Sequence, residues 1–259
     1  MLDARQVAYL QALGVDVYVP RSAPPLQDEV TAETAAPVVP AGPAPASGVV
    51  ARLDAPAPDA DDAANLDWDE LQAAVAACQR CDLHATRTQA VFGVGNRQAR
   101  WMFIGEAPGA EEDRQGEPFV GRAGQLLTSM IRALGLRRED VFIANVLKCR
   151  PPDNRDPRPG EAASCRRYLE RQVALVNPTL VIAVGRIAAQ NLLATETPIA
   201  KLRGKVHSFG SQAWPVVVTY HPAYLLRSPG EKRKSWQDLL HARQLFGRLA
   251  RDQASGGRA

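Results

Sequence analysis

Thr179-Leu180-Val181-Ile182-Ala183-Val184, followed at once by Gly185 and by Arg186-Ile187-Ala188-Ala189-Gln190-Asn191-Leu192-Leu193, decides the fold. Uncharged, β-branched and continuous rather than alternating, the first run describes a strand buried on both faces. The second carries apolar residues at helical spacing, so the strand is predicted to lead into a covering helix. The unit recurs on either side. Arg100 to Ile104 and Val141 to Leu147 read as strands, followed by helices from Ala123 to Leu134 and from Gly160 to Val176. Trp214 to Tyr220 is a fourth strand and Lys234 to Leu249 a closing helix. Apolar strands alternating with helices predict an α/β fold, three-layer α/β/α with a central, mainly parallel four-stranded sheet. Ligands of such sheets sit beyond the carboxyl ends of the strands. The residues that follow strands one, two and four are therefore the ones to read for chemistry.

Outside this alternation the chain changes character. Residues 2–14 place Leu2, Val7, Leu10 and Leu13 at the spacing of a short amphipathic helix, so residues 1–20 are expected to form a small arm. Residues 21–65 hold 21 Ala or Pro in 45 positions, a composition too poor in large apolar groups to offset its ordering entropy, and read as a linker. The functional domain is expected at 66–250, opened by a helix from Asp67 to Cys78, with 251–259 a disordered tail. Any protein partner of the N-terminal arm is left unassigned. No apolar run approaches the roughly 20 residues that span a bilayer, and Met1-Leu2-Asp3-Ala4-Arg5 lacks the layout of a secretory signal. The chain is expected to be cytoplasmic, off the membrane and monomeric. Its net charge of +3 conceals an asymmetry: residues 1–65 hold 3 basic and 9 acidic side chains, residues 66–259 hold 28 and 19. A basic domain suits a phosphate-bearing partner, though a well-solvated surface would look the same.

Three loops carry the candidate chemistry. After strand one comes Gly105-Glu106-Ala107-Pro108-Gly109, then Glu112 and Gly116-Glu117-Pro118-Phe119-Val120-Gly121. It matches neither a Walker loop nor a dinucleotide fingerprint, and alone it is compatible with a simple turn. Asn145 ends an apolar run, Ile143-Ala144-Asn145-Val146-Leu147-Lys148-Cys149-Arg150-Pro151-Pro152, where a buried amide must find partners. Tyr220-His221-Pro222-Ala223-Tyr224-Leu225-Leu226-Arg227 sets a histidine before a proline that holds it extended. Cys78-x-x-Cys81, Cys149 and Cys165 in a chain without an export signal favour metal ligation over disulfides. The spacing leaves zinc and an iron–sulfur cluster equally open.

In order and spacing, these motifs resemble the type-4, iron–sulfur uracil-DNA glycosylases, over about 150 residues from Cys78 to Arg227. A sister group traps the sugar with a histidine in the loop after Cys-Arg-Pro; here Pro151 to Arg158 contains none. Another lacks the carboxylate that Glu106 supplies. The resemblance implies a [4Fe–4S] cluster on Cys78, Cys81, Cys149 and Cys165, uracil-containing DNA as partner, and hydrolysis of the N-glycosidic bond as the opening of base excision repair. It implies catalytic roles for Glu106, which orients water and offsets the sugar's positive charge, and for His221, which donates to uracil O2. Phe119 would stack on the extruded base, Asn145 read its N3–H and O4, and Glu112 exclude a thymine methyl. Backbone groups of Gly105, Glu106 and Ala107 would complete the pocket. Leu225 and Leu226 are wedge candidates for the vacated stack, although two leucines at a loop-to-helix junction could equally be core, and Arg227, Lys148 and Arg122 are candidate phosphate contacts.

Overall fold

The computed structural model describes residues 63–256, with side chains as far as Gln253. The expected N-terminal helix and all of the expected linker before Ala63 lie outside the described residues, as do positions 257–259. The chain is already packed at Ala63, three residues ahead of the expected boundary at 66, where it is buried in one cluster with Leu66, Leu71, Val75 and Tyr168.

Helix α1 (Trp68–Ala77) starts where Asp67 accepts from the N–H groups of Asp69 and Glu70, both at 2.9 Å, while Glu70 returns to the Asp67 N–H at 2.9 Å. This capping box satisfies donors that the first turn otherwise leaves unpaired. Strands β1 (Val94–Gly95) and β2 (Trp101–Gly105) follow, then α2 (Ala110–Gln115), α3 (Arg122–Ala133) and β3 (Phe142–Asn145). Next come α4 (Pro159–Val176), β4 (Leu180–Val184), α5 (Arg186–Leu193) and the single turn α6 (Ile199–Leu202). A hairpin of β5 (Val206–Phe209) and β6 (Trp214–Thr219), then α7 (Pro222–Arg227) and α8 (Lys232–Gly256), complete the chain. No helix among the described residues is long and apolar enough to cross a membrane.

The strands form one sheet in the order β1-β3-β2-β4-β6-β5, with β3, β2, β4 and β6 parallel. The α/β class and the parallel core are as the sequence predicts, but the sheet has six strands rather than four. The additions are antiparallel edges. β1 pairs only two residues with β3, and β5 exposes Val206 beside polar neighbours, so neither shows the apolar run of a central strand. Successive residues of the inner strands face opposite layers. Met102, Ile104, Val181, Ala183, Val216 and Val218 pack with Leu169 and Val173 of α4 and Ala188 and Leu192 of α5. Phe103, Ile143, Ile182, Val184 and Val217 pack with Leu127 and Ile131 of α3 and Leu239 and Ala242 of α8. The closing helix continues to Gly256, seven residues past the expected end at Leu249, which replaces most of the expected tail. From β2 the chain steps outward to β3, then crosses to the opposite side of β2 for β4. That reversal opens a crevice at the carboxyl ends of the strands.

Candidate active site

A cavity of about 780 Å³ fills that crevice. Its walls include Glu106, Ala107, Glu112, Phe119, Asn145, His221 and Arg227, which the motifs single out, together with Arg155, Asp156, Arg186, Tyr220 and Tyr224. Arg186 is not among the motif residues, although it immediately follows Gly185 at the end of β4, where the strand-end rule points. Gly105 stands opposite Asn145 in the parallel register of β2 and β3. A Cβ at Gly105 would stand 2.5 Å from Phe119 Cζ and nearer still to Asn145 Oδ1, so only glycine lets the amide and the ring meet over the strand end.

Asn145 is the last residue of its strand, whereas the sequence reading continues the strand to Leu147. It is buried, and its Oδ1 is among the few buried side-chain oxygens without a hydrogen-bond partner. Leaving such an acceptor unpaired costs about 1–3 kcal/mol. The strand end is fixed by the Val146 N–H to the Gly105 carbonyl and the Leu147 N–H to the Glu106 carbonyl, both 3.0 Å.

Lys148 is not at the surface. Only 1% exposed, it donates to the carbonyls of Asn145 (2.9 Å) and Phe92 (3.3 Å) and to Gln172 Oε1 (2.5 Å). Burial pushes its pKa down to about 7. The expected phosphate contact is therefore overturned: a lysine flanked by buried Leu147 and Cys149 braces the Asn145 backbone from below. Leu225 is corrected likewise. It is 1% exposed and belongs to the same core cluster as Leu127, while Leu226 and Tyr224 are the exposed large apolar side chains of α7. Arg227 is exposed on the cavity rim; Arg122 is exposed at the start of α3, next to the cavity-lining Ala123.

Phe119 is held by its neighbours. Its φ of 56° is left-handed, a conformation that costs a non-glycine residue about 1–2 kcal/mol. Glu112 accepts from the N–H groups of Val120 (3.0 Å) and Gly121 (3.2 Å), and from Gly109 (3.1 Å). Arg138 donates to the Pro118 carbonyl at 2.6 Å, and Gly124 leaves room for the Phe119 carbonyl, where a Cβ would collide. The Phe119 and His221 rings form adjoining walls, centroids 5.7 Å apart and inclined 31°.

His221 caps α7, and its Nδ1 accepts the Ala223 N–H at 3.1 Å. A backbone N–H can only donate, so Nδ1 carries a lone pair and the ring proton sits on Nε2. Burial, aided by Arg227, depresses the imidazole pKa to about 4, so at neutral pH the ring is an uncharged donor. Glu106 is displaced in the other sense: burial first, then Asp156, raise its pKa to about 7, against Arg186, which lowers it.

In a second, small cavity, Cys78, Cys81, Cys149 and Cys165 stand together with Tyr168 and Lys148. All four are free thiols. Among the described residues no group of three or more His, Cys, Asp or Glu side chains is arranged to hold a single metal ion. Arg87 reaches across, donating to Cys149 Sγ at 3.0 Å and to the Ala76 carbonyl at 2.6 Å, and so joins the two segments that bear Cys149 and Cys78. Burial pushes the Cys165 thiol up to about 12, so its thiolate requires a compensating bond.

Residues 92–240 match the family model described as the uracil DNA glycosylase superfamily. A type-4 uracil-DNA glycosylase of Archaeoglobus fulgidus is 46% identical over 188 residues, covering 70% of this chain and 94% of that protein. A second type-4 enzyme, of Thermotoga maritima, is 47% identical over 153 residues (58% and 79%). A type-5 uracil-DNA glycosylase of Thermus thermophilus is 35% identical over 119 residues (40% and 54%). With the cavity at the strand ends and this agreement over nearly the whole length of a relative, the chain belongs to the uracil DNA glycosylase superfamily and, within it, to the type-4 group.

Proposed function

We propose that this protein extrudes uracil from DNA into the cavity at the ends of β2, β3 and β6 and hydrolyses the bond between base and deoxyribose, the first step of base excision repair. The observation that carries the reading is the buried, unpartnered Oδ1 of Asn145. Uracil presents a donor at N3 and an acceptor at O4, which an amide answers with its oxygen and nitrogen. Cytosine presents the reverse, and would leave buried polar groups unpaired. Phe119 supplies a stacking face that is indifferent to base identity. His221 Nε2–H donates to uracil O2 as charge grows on the departing base. Glu106, when ionised, orients the attacking water and offsets the positive charge on the sugar. Leu226 fills the vacated stack, and Arg227 and Arg122 hold phosphates on either side.

Single-turnover release of uracil from a synthetic strand tests this directly. Asn145→Ala is expected to slow release about 10- to 100-fold, the rate equivalent of about 1–3 kcal/mol, and to erode the preference over cytosine. Unchanged release by the folded variant would remove Asn145 from the pocket's chemistry.

The four cysteines are read as ligands of a [4Fe–4S] cluster. The donor set is all thiol, and the four cysteines line one small cavity. When bound, the cluster supplies iron–thiolate bonds that cross-link the end of α1, the loop after β3 and α4. Arg87 places positive charge beside Cys149, and Lys148 lines the same cavity. Cys165→Ser is expected to lose iron and labile sulfide and to unfold at lower temperature, a loss of several kcal/mol. Metal analysis and thermal unfolding check this; a colourless, zinc-containing protein would overturn the cluster.

A further inference from the structure

In the sheet β2 lies between β3 and β4, so Glu106, which follows β2, has the loop after β3 on one flank and the start of α5 on the other. An ion pair joins those flanks: Arg186 Nη2 stands 2.6 Å from Asp156 Oδ2. Both residues line the cavity that Glu106 lines. Each foot is anchored. Arg186 also donates to Gln190 Oε1 at 3.2 Å within its own helix. On the other side Arg155 donates to the Asp156 carbonyl at 3.0 Å while its fork grips the buried Glu161 at 2.9 and 2.6 Å.

We propose that the Asp156–Arg186 pair is a bridge across the cleft at Glu106, two positioning residues whose opposed charges set the field in which the catalytic carboxylate works. The inference rests on the uracil-releasing role given to Glu106 above. The pair is half exposed, 50% for Arg186 and 64% for Asp156, so it contributes little to stability. Its effect falls on the carboxylate instead: burial is the main cause of the raised Glu106 pKa, and upon it Asp156 raises the value further while Arg186 lowers it. The other charged or titratable groups lining the cavity are Glu112, Arg155, Tyr220, His221, Tyr224 and Arg227, and none of them is among the charges that shift Glu106. Glu112 is held by three backbone N–H groups, Arg155 by Glu161, His221 is uncharged, and Arg227 acts on His221. Neither foot of the bridge touches the expected base-reading residues by hydrogen bond, so each can be altered without disturbing Asn145 or His221.

The test uses the full chain with its metal site loaded and measures single-turnover uracil release against pH at saturating DNA. Asp156→Asn removes the negative foot, so Glu106 ionises more readily and the rise of rate with pH begins earlier. On the acid side the variant is expected to show about two- to threefold more of its own plateau rate than the unaltered protein. Arg186→Gln is expected to show about two- to threefold less there, and the double variant to return toward the original profile. Both displacements should shrink as salt is raised, because the charges are solvent-exposed. Profiles that stay in place, or that move the same way in both single variants, would overturn the bridge. Absence of uracil release by the unaltered protein at every pH would instead overturn the function on which the bridge rests.

Discussion

Glu106→Gln is expected to leave DNA binding intact while turnover falls about 10²- to 10⁴-fold, the range for removal of a positioned acid or base. The amide keeps the size of the carboxyl group but can neither take a proton from water nor oppose a positive sugar. The raised pKa makes the loss legible in a pH profile. With a value of about 7 in the free protein, the carboxyl group is protonated and idle below that pH and ionised above it. The kcat/KM of the unaltered protein should therefore climb with pH through about 7 and level off. Glu106→Gln should be slow and flat across the same range. A variant that keeps the rising limb would show that another group titrates there.

His221→Ala is expected to reduce turnover about 10²- to 10³-fold, as loss of a single donor to a developing anion does. The structure supplies the reason that the neutral ring suffices. Because the Ala223 N–H occupies Nδ1, the only ring proton is on Nε2. Protonation would place a second hydrogen on Nδ1 and expel that backbone donor. With a pKa near 4, the ring should contribute no titration to the rate near neutrality. It does leave a mark on stability. The unfolded chain takes up a proton near 6.5 and the folded chain only near 4, so stability falls as pH drops between them. Acid unfolding of His221→Ala should lack that component, measurable by denaturant titration at pH values on either side of the window.

The sequence makes most of the fold visible because its central strands are apolar on both faces. Runs such as Leu180–Val184 have no other stable place than the middle of a covered sheet. The edge strands β1 and β5 escape the same logic: one has two residues, and the other owes its place to pairing with β6 rather than to its own pattern. The six-residue helix α2 hides in a stretch that reads as a turn, because Gly109, Glu112 and Gly116 are cap residues as well as loop residues. In the site, Glu106, Asn145 and His221 are legible as polar residues at the ends of buried strands. Lys148 and Leu225 mislead for a shared reason. Residue type predicts exposure only on average, and here a lysine finds three acceptors inside the protein while a leucine beside an exposed one turns inward. Arg186 and Asp156 are far apart in the chain, and only the strand order brings them together across Glu106.

The three backbone bonds to Glu112 bear on any attempt to broaden the range of bases accepted. A side chain expected to bar a methyl group is also the peg on which two loops hang. Trimming Glu112 to make room would release the peptide groups of Gly109, Val120 and Gly121 together and let Phe119 relax out of its left-handed turn. The carboxylate expected to set selectivity thus also fixes the shape of both loops, and a roomier pocket would have to be redesigned from both loops at once.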